Sequence, residues 1–105
     1  AISKGDSFKL SSLNLDYSFE GDKPAWLPKK VFDNGKKTFI KLPEIVDSLN
    51  LPVFFISING EQSLANSHYK DHYIIFDGIF KTAMLVSGKG GTKIQVNLIN
   101  NQYPR

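Results

Sequence analysis

Residues 31–43, VFDNGKKTFIKLP, constrain the fold more than any other part of the chain. An Asn34-Gly35 pair lies between two apolar runs, and Asn-Gly readily takes the left-handed backbone angles of a two-residue hairpin turn. The pattern predicts a strand, a tight turn over Asp33, Asn34 and Gly35, and a second strand that Pro43 ends. We therefore expect this hairpin to be the nucleus of an all-β domain.

Alternating apolar and polar residues predict further strands along the chain. Phe8 and Leu10 alternate, and after a break in phase at residues 11–12 the alternation resumes over residues 13–19. More strands are predicted over residues 51–58, 61–66, 73–76, 82–86 and 92–99. The run 51–58 is continuously apolar, which favours burial on both faces, and Leu64 of the returning strand is expected to point inward.

The spacing of these strands predicts an antiparallel β-sandwich of about eight or nine short strands. A small barrel is the other architecture that fits. Only residues 44–50 have helical spacing, and they are short enough for one helical turn at most. We expect a single domain over residues 1–105, with a frayed polar tail at 100–105. The chain begins at Ala1 without an initiator Met or signal peptide, so an excised domain or a processed product is expected.

Composition excludes several classes of protein. The chain has no cysteine and therefore no disulfide, and its apolar runs are far shorter than the ~20 residues of a membrane helix. A net charge of +3 is mildly basic, and the lysines occur in pairs instead of long blocks. Eight phenylalanines favour an aromatic core.

Candidate catalytic and metal sites are weak. His68 and His72, with Asp71 beside them, lie in a stretch of strand and turn and have no cysteine or third histidine to complete a zinc site. Residues 88–92, GKGGT, resemble part of a phosphate-binding loop, but a strand follows where that motif requires a helix. No base is placed to activate a serine. We expect no enzyme activity, no cofactor and no metal.

Nucleic-acid binding is the alternative function that the residues leave open. A single-stranded nucleic-acid-binding small β-barrel would use lysines 29, 30, 36, 37 and 41 with aromatic rings at Phe32, Phe39 and Tyr17. Because both phenylalanines are expected in the core and the charge is modest, the main prediction includes no nucleic acid among the partners.

An open sheet edge is the feature that an all-β domain without a reactive site can offer a partner. Residues 13–19 are the best candidate, because they are amphipathic and precede a proline-containing loop, residues 20–30, that cannot pair onward. Trp26 lies in that loop and is expected to be structural or to act as an anchor for a partner. The candidate partner-binding residues are Leu13, Leu15, Tyr17, Phe19 and Trp26.

The chain resembles the C-terminal domain of the TrbG/CagX-type subunit of bacterial type IV secretion systems. That family has an N-x-x-Y-x-x-x-G start, a proline-containing loop and a V-F/Y-D-D/N-G-x-x-T-Y/F-I-x-F/L-P signature. The matching residues here are Asn14, Tyr17, Gly21, Val31, Phe32, Asp33, Asn34, Gly35, Thr38, Phe39, Ile40, Leu42 and Pro43. Residues 44–50 look like an insertion, and the signature itself does not mark Tyr17 or Trp26 as partner contacts.

The resemblance implies a structural component of an outer-membrane core complex in the periplasm of a Gram-negative bacterium. A small outer-membrane lipoprotein would bind it by strand addition or wrapping, and a TrbI-type channel-forming subunit would pack against it in a homo-oligomeric ring. Some members form a disulfide with the lipoprotein. Since this chain has no cysteine, its contact would be non-covalent.

Overall fold

A computed structural model describes residues 13–47, 49–89 and 92–103 of the protein. None of these residues belongs to a helix long and apolar enough to cross a membrane. The described residues form an all-β fold of nine strands: β1 (Tyr17–Gly21), β2 (Lys30–Asp33), β3 (Thr38–Lys41), β4 (Val53–Ile58), β5 (Glu61–Leu64), β6 (Ser67–Lys70), β7 (Tyr73–Phe76), β8 (Thr82–Lys89) and β9 (Thr92–Asn100). The all-β fold class is confirmed.

Two antiparallel sheets make up the sandwich. The large sheet has five strands in the order β1-β9-β8-β4-β5, and the small sheet has four in the order β2-β3-β7-β6. All of the strand pairs are antiparallel. The predicted sandwich is therefore confirmed.

The core lies between the two sheets, because alternate residues of each strand face inward. In β9, Val96 and Leu98 are fully buried while Gln95 and Asn97 lie on the other face. Phe54 of the large sheet meets Phe76 of the small sheet edge to face, with ring centroids 5.7 Å apart. The buried apolar residues form one cluster: Val31, Ile40, Leu42, Val46, Phe54, Ile74, Phe76, Phe80, Ala83, Leu85, Val96 and Leu98.

The β2–β3 hairpin forms as predicted, but its turn is longer than two residues. Asp33 pairs with Thr38, so residues 34–37 form a four-residue loop in which Gly35 has a positive φ of 88°. The side-chain oxygen of Asn34 accepts hydrogen bonds from the backbone N–H groups of Lys36 and Lys37, which stabilises the longer loop. The second Asn-Gly pair, Asn59-Gly60, also predicts a two-residue turn, and that turn is confirmed: Ile58 pairs with Glu61, and φ is 52° and 84° at the two loop residues.

Phe32 and Phe39 lie outside the core, contrary to the sequence-based assignment. Their strand neighbours Val31 and Ile40 are buried, so the alternation of side chains places both phenylalanines on the outer face of the small sheet. The two rings stack on each other with centroids 5.1 Å apart. Each side chain is half-buried.

Several predictions for residues 51–70 are wrong. Leu64 is 71% exposed and does not point inward, because β5 is a short edge strand of the large sheet. Both-face burial of β4 fails as well, since Val53 is 47% exposed. Residues 67–70, for which no separate strand is predicted, form β6, which pairs with β7 in the small sheet.

Both ends of the chain differ in part from the predictions. Asn100 is the last residue of β9 and is buried, so the prediction of fraying from residue 100 is wrong there. Residues 104 and 105 lie outside the described residues, as do the predicted strand at Phe8 and Leu10 and the bend at residues 11–12. In the interval 44–50, the described residues form turns.

Candidate partner-binding edge

β1 forms one edge of the large sheet. Among the described strands it pairs with β9 alone, from Tyr17↔Asn100 to Gly21↔Val96. The edge predicted over residues 13–19 is therefore shifted along the chain. Leu13 and Leu15 precede the strand, whereas Tyr17 and Phe19 lie in it. Asn14 instead forms an isolated bridge with Asp33 at the end of β2.

Backbone hydrogen bonds fix which groups of β1 face outward. At one end the Asp16 carbonyl accepts from the Asn101 N–H at 3.0 Å, and at the other the Asp22 N–H donates to the Gln95 carbonyl at 2.9 Å. Antiparallel pairing alternates, so even-numbered residues of this stretch direct their N–H and C=O groups toward β9. The N–H and C=O groups of Phe19 and Gly21 therefore point to the side of β1 that no described strand covers.

The Phe19 side chain lies at this same margin. Its cross-strand partner Leu98 is fully buried, which places Phe19 on the core-facing side of the large sheet. Phe19 is nevertheless 37% exposed, because the small sheet does not fully cover this position. The ring is therefore partly accessible at this margin, next to the outward backbone groups of β1.

The other candidate residues occupy different environments. Leu15 is 62% exposed and Leu13 is half-buried. Tyr17 packs edge to face on Phe80, with ring centroids 5.7 Å apart. Trp26, in the loop that connects β1 to β2, is half-buried against the core, so its position fits a structural role.

A buried polar network anchors the N-terminal side of β1. The Asp33 carboxylate is fully buried and accepts hydrogen bonds from Asn14 Nδ2 at 2.9 Å, from the Tyr17 hydroxyl at 2.5 Å and from the Gly35 N–H at 2.9 Å. Asn14, Tyr17, Asp33 and Gly35 all belong to the family signature. The two parts of the signature are thus separate in sequence, but their residues meet in one hydrogen-bonded network.

Asn100 completes the network, a role that its position in the sequence does not predict. Its Oδ1 accepts from Asn14 Nδ2 at 2.8 Å, and its Nδ2 donates to the Phe80 carbonyl at 3.0 Å. The polar residues that follow Asn100 predict that it belongs to a frayed tail. A polar residue continuing the inward alternation of Val96 and Leu98 was the available signal. No buried side-chain polar atom among the described residues lacks a hydrogen-bond partner.

The network and its surroundings shift two pKa values. Burial is the main cause that raises the pKa of Tyr17 above its ordinary value, and the hydrogen bond to the Asp33 carboxylate adds to it. Side-chain hydrogen bonds from Gln102 and Asn101 lower the pKa of Asp16. Both shifts occur where the chain enters β1, so this end of the edge is held to the rest of the fold by polar contacts.

Gly21 ends β1 and has a backbone that requires glycine. Its φ is 100°, and a Cβ built there would lie 2.7 Å from the Gln95 carbonyl oxygen. The next residue, Asp22, also accepts the Gln95 N–H with its side chain at 2.9 Å. The strand is therefore pinned to β9 at its C-terminal end.

The candidate chemical sites do not assemble in the described part of the chain. No group of three His, Asp or Glu side chains there is placed to hold a metal ion. His72 Nδ1 lies 3.2 Å from the Tyr69 hydroxyl, while His68 is exposed on β6. Gly88 and Lys89 end β8 and Thr92 begins β9, and these strands pair as far as Lys89↔Thr92. Gly90 and Gly91 lie outside the described residues.

Comparison with known proteins identifies the family. The model of the CagX family, described as conjugal transfer protein, matches residues 2–101. A probable conjugal transfer protein TrbG of Sinorhizobium fredii is 30% identical over 86 residues, which cover 82% of this chain and 32% of that protein. The chain thus spans about a third of the length of this curated relative. The predicted family is confirmed: the chain belongs to the CagX family of conjugal transfer proteins.

Proposed function

We propose that the protein is a structural component of a type IV secretion system and that its β1 edge binds an extended segment of a small outer-membrane lipoprotein. Family membership links the chain to conjugal transfer, and thus to type IV secretion and the Gram-negative cell envelope. It also favours a structural role over an enzymatic one. A periplasmic position near the outer membrane is part of the proposal.

The observation that carries the proposal is the open side of β1. Phe19 and Gly21 present N–H and C=O groups in the pattern that an added antiparallel or parallel strand would complete. A segment of about five residues, roughly 17 Å long, would match the length of β1. Main-chain hydrogen bonds would supply part of the affinity, and side chains would supply the selectivity.

The half-exposed Phe19 ring supports an apolar contact from the added strand. Alternate side chains of such a strand would lie on the core-facing side, next to the partly exposed Phe19 ring. An apolar residue at that position would cover the ring and bury further surface. Because the chain has no cysteine, the complex would be held without a disulfide to this domain.

The same proposal includes two larger contacts. The domain would pack against a TrbI-type channel-forming subunit and would occur in many copies in a ring. The outer face of the large sheet leaves surface for such contacts once the lipoprotein occupies β1.

A binding series with peptides from the lipoprotein of the same secretion system tests the proposal. Calorimetric titration of the 105-residue chain should identify one binding peptide, and Phe19→Asp should weaken its affinity at least tenfold. The charge would face an apolar side chain of the added strand and would be costly to desolvate. Phe19→Ala, which introduces no charge, should weaken binding less.

Leu64→Asp is the matched control. Leu64 lies on β5, at the opposite edge of the large sheet, and is more exposed than Phe19. This variant should bind the peptide as the unchanged chain does. Equal loss in both variants, with unchanged thermal midpoints, would place the peptide elsewhere and reject the β1 edge.

A further inference from the structure

The outer face of the small sheet carries a row of three lysines and one tyrosine that crosses all four strands. Lys30 pairs with Lys41, Lys41 with Tyr73, and Tyr73 with Lys70. Cross-strand partners lie on the same face of a sheet, so these four side chains form one line, which we call the cation row. The Lys41 ammonium lies 5.9 Å from the centroid of the Tyr73 ring.

A second row on the same face contains three aromatic side chains and one isoleucine. Phe32 pairs with Phe39, Phe39 with Ile75, and Ile75 with His68. We call these four residues the aromatic row. The rows are connected, because the Phe32 ring meets the Tyr73 ring edge to face with centroids 6.2 Å apart.

Positive charge is concentrated around this face. Lys29 precedes β2, and Lys36 and Lys37 lie in the loop between β2 and β3, all three exposed. With the cation row, this makes six of the thirteen basic residues of the chain. Asp33 is the one acidic residue in the four described strands of the small sheet, and it is buried on the inner face, whereas Glu44, Asp71 and Asp77 lie beyond strand ends.

We propose that this face binds single-stranded nucleic acid, with phosphates along the cation row and bases against the aromatic row. The rows are two residues apart on each strand, about 6.6 Å, which is the scale that separates a phosphate from its base. Lysines along a row suit a backbone of repeating phosphates, and aromatic side chains accept any base by stacking. Binding would therefore be tolerant of sequence.

The geometry favours a nucleic acid over a membrane surface. Phe32, Phe39 and Tyr73 are half-buried, and the Phe32 ring packs against the other two, so none of the three rings is fully exposed. Insertion between lipid chains requires apolar side chains that protrude. Half-buried rings bordered by lysines match the stacking platforms of proteins that bind single strands.

One of the sequence-based reasons against nucleic-acid binding does not hold in the structure. That reason placed Phe32 and Phe39 in the core, whereas both lie on the outer face beside the lysines. The surface is also distinct from the β1 edge, which belongs to the other sheet. The inference therefore does not depend on lipoprotein binding.

Fluorescence anisotropy with a labelled oligothymidylate of about twelve nucleotides tests the proposal. The 105-residue chain should bind at low salt. The logarithm of its association constant should fall linearly with the logarithm of the salt concentration. The triple variant Lys30→Gln, Lys41→Gln and Lys70→Gln should lose at least tenfold in affinity. It should also reduce the salt slope by roughly two, because each phosphate contact on a single strand contributes about 0.7.

Two further variants separate this face from general electrostatic attraction. The control Lys23→Gln, Lys81→Gln and Lys93→Gln removes three exposed lysines that lie outside the small sheet, and it should change the affinity less than threefold. The variant Phe32→Leu with Phe39→Leu keeps apolar side chains but removes the rings. It should weaken binding several-fold and leave the salt slope unchanged, since stacking releases no counterions.

Three results would overturn the proposal. The first is absence of binding at low salt. The second is an equal loss of affinity in the two lysine variants, which would indicate attraction by the whole basic protein. The third is that vesicles of anionic phospholipid or polyglutamate bind more tightly than the oligonucleotide and compete it away, which would assign the face to a membrane or to an acidic protein.

Discussion

Asp33 is the residue on which the geometry of the N-terminal segment depends. Its buried carboxylate receives three hydrogen bonds, from Asn14, Tyr17 and Gly35. One bond closes the β2–β3 loop, and the other two hold the segment that leads into β1. A carboxylate with several donors is stable when buried, whereas donors left without an acceptor are costly.

Replacement of Asp33 by alanine should destabilise the fold strongly. Three donors would lose their acceptor, and we expect the free energy of unfolding to fall by about 3 kcal/mol or more. Urea denaturation followed by tryptophan fluorescence measures this change. Asp77→Ala, at an exposed position, should stay within about 0.5 kcal/mol of the unchanged chain. Similar values for the two variants would contradict a central role for Asp33.

The raised pKa of Tyr17 predicts a loss of stability in alkaline solution. The folded protein keeps the phenolic proton at a pH where the unfolded chain, with a pKa near 10, releases it. The contribution to stability is therefore complete below about pH 10 and declines as pH rises above it. Urea denaturation at a series of pH values above 9 measures the decline.

Tyrosine-to-phenylalanine variants separate this effect from other titrating groups. Tyr17→Phe should flatten the alkaline decline, whereas Tyr103→Phe, at an exposed position near the end of the chain, should leave it unchanged. An identical alkaline decline in both variants would show that Tyr17 is not its source.

β1 is the edge strand whose ends are held by these polar contacts. The Asp33 network fixes its entrance, and two bonds between Asp22 and Gln95 fix its exit. Between these points only the side toward β9 is occupied by a described strand. An edge held at both ends is pre-organised, so a binding segment need not order it, and less entropy is lost on association.

Gly21→Ala tests the exit of β1. The new Cβ would approach the Gln95 carbonyl oxygen at 2.7 Å and the residue would keep a positive φ, so we expect a loss of about 2–4 kcal/mol. Gly60→Ala is the matched control, because Gly60 also has a positive φ but nothing lies within 4 Å of its Cβ position. Its cost should be about 1 kcal/mol. Thermal denaturation compares the two, and equal losses would contradict the importance of the close approach.

Individual strands were predictable where alternation was clear or where turn residues bounded a short apolar run. β7 has the predicted bounds, and β9 exceeds its prediction by one residue. The prediction failed where an apolar side chain faced outward, as at Leu64, Phe32 and Phe39. Alternation gives the two faces of a strand but not which face is covered, because that depends on strands distant in sequence.

At the scale of the whole molecule, the two sheets provide different surfaces. The large sheet offers an edge with main-chain groups, and the small sheet offers an outer face of lysines and aromatic rings. A proline-containing loop after residues 13–19 allowed the edge to be predicted. The outer face could not be predicted, because Lys70 and Tyr73 join Lys30 and Lys41 only through the order β2-β3-β7-β6.

Amide hydrogen exchange of β1 tests the central claim, that the open edge is where a partner strand binds. In the chain alone, the amides of Ser18 and Glu20 should exchange slowly, because they face β9, while those of Phe19 and Gly21 exchange quickly. Addition of the lipoprotein peptide should slow exchange at Phe19 and Gly21 specifically. If the peptide binds and these two amides still exchange at their original rates, strand addition at β1 is wrong.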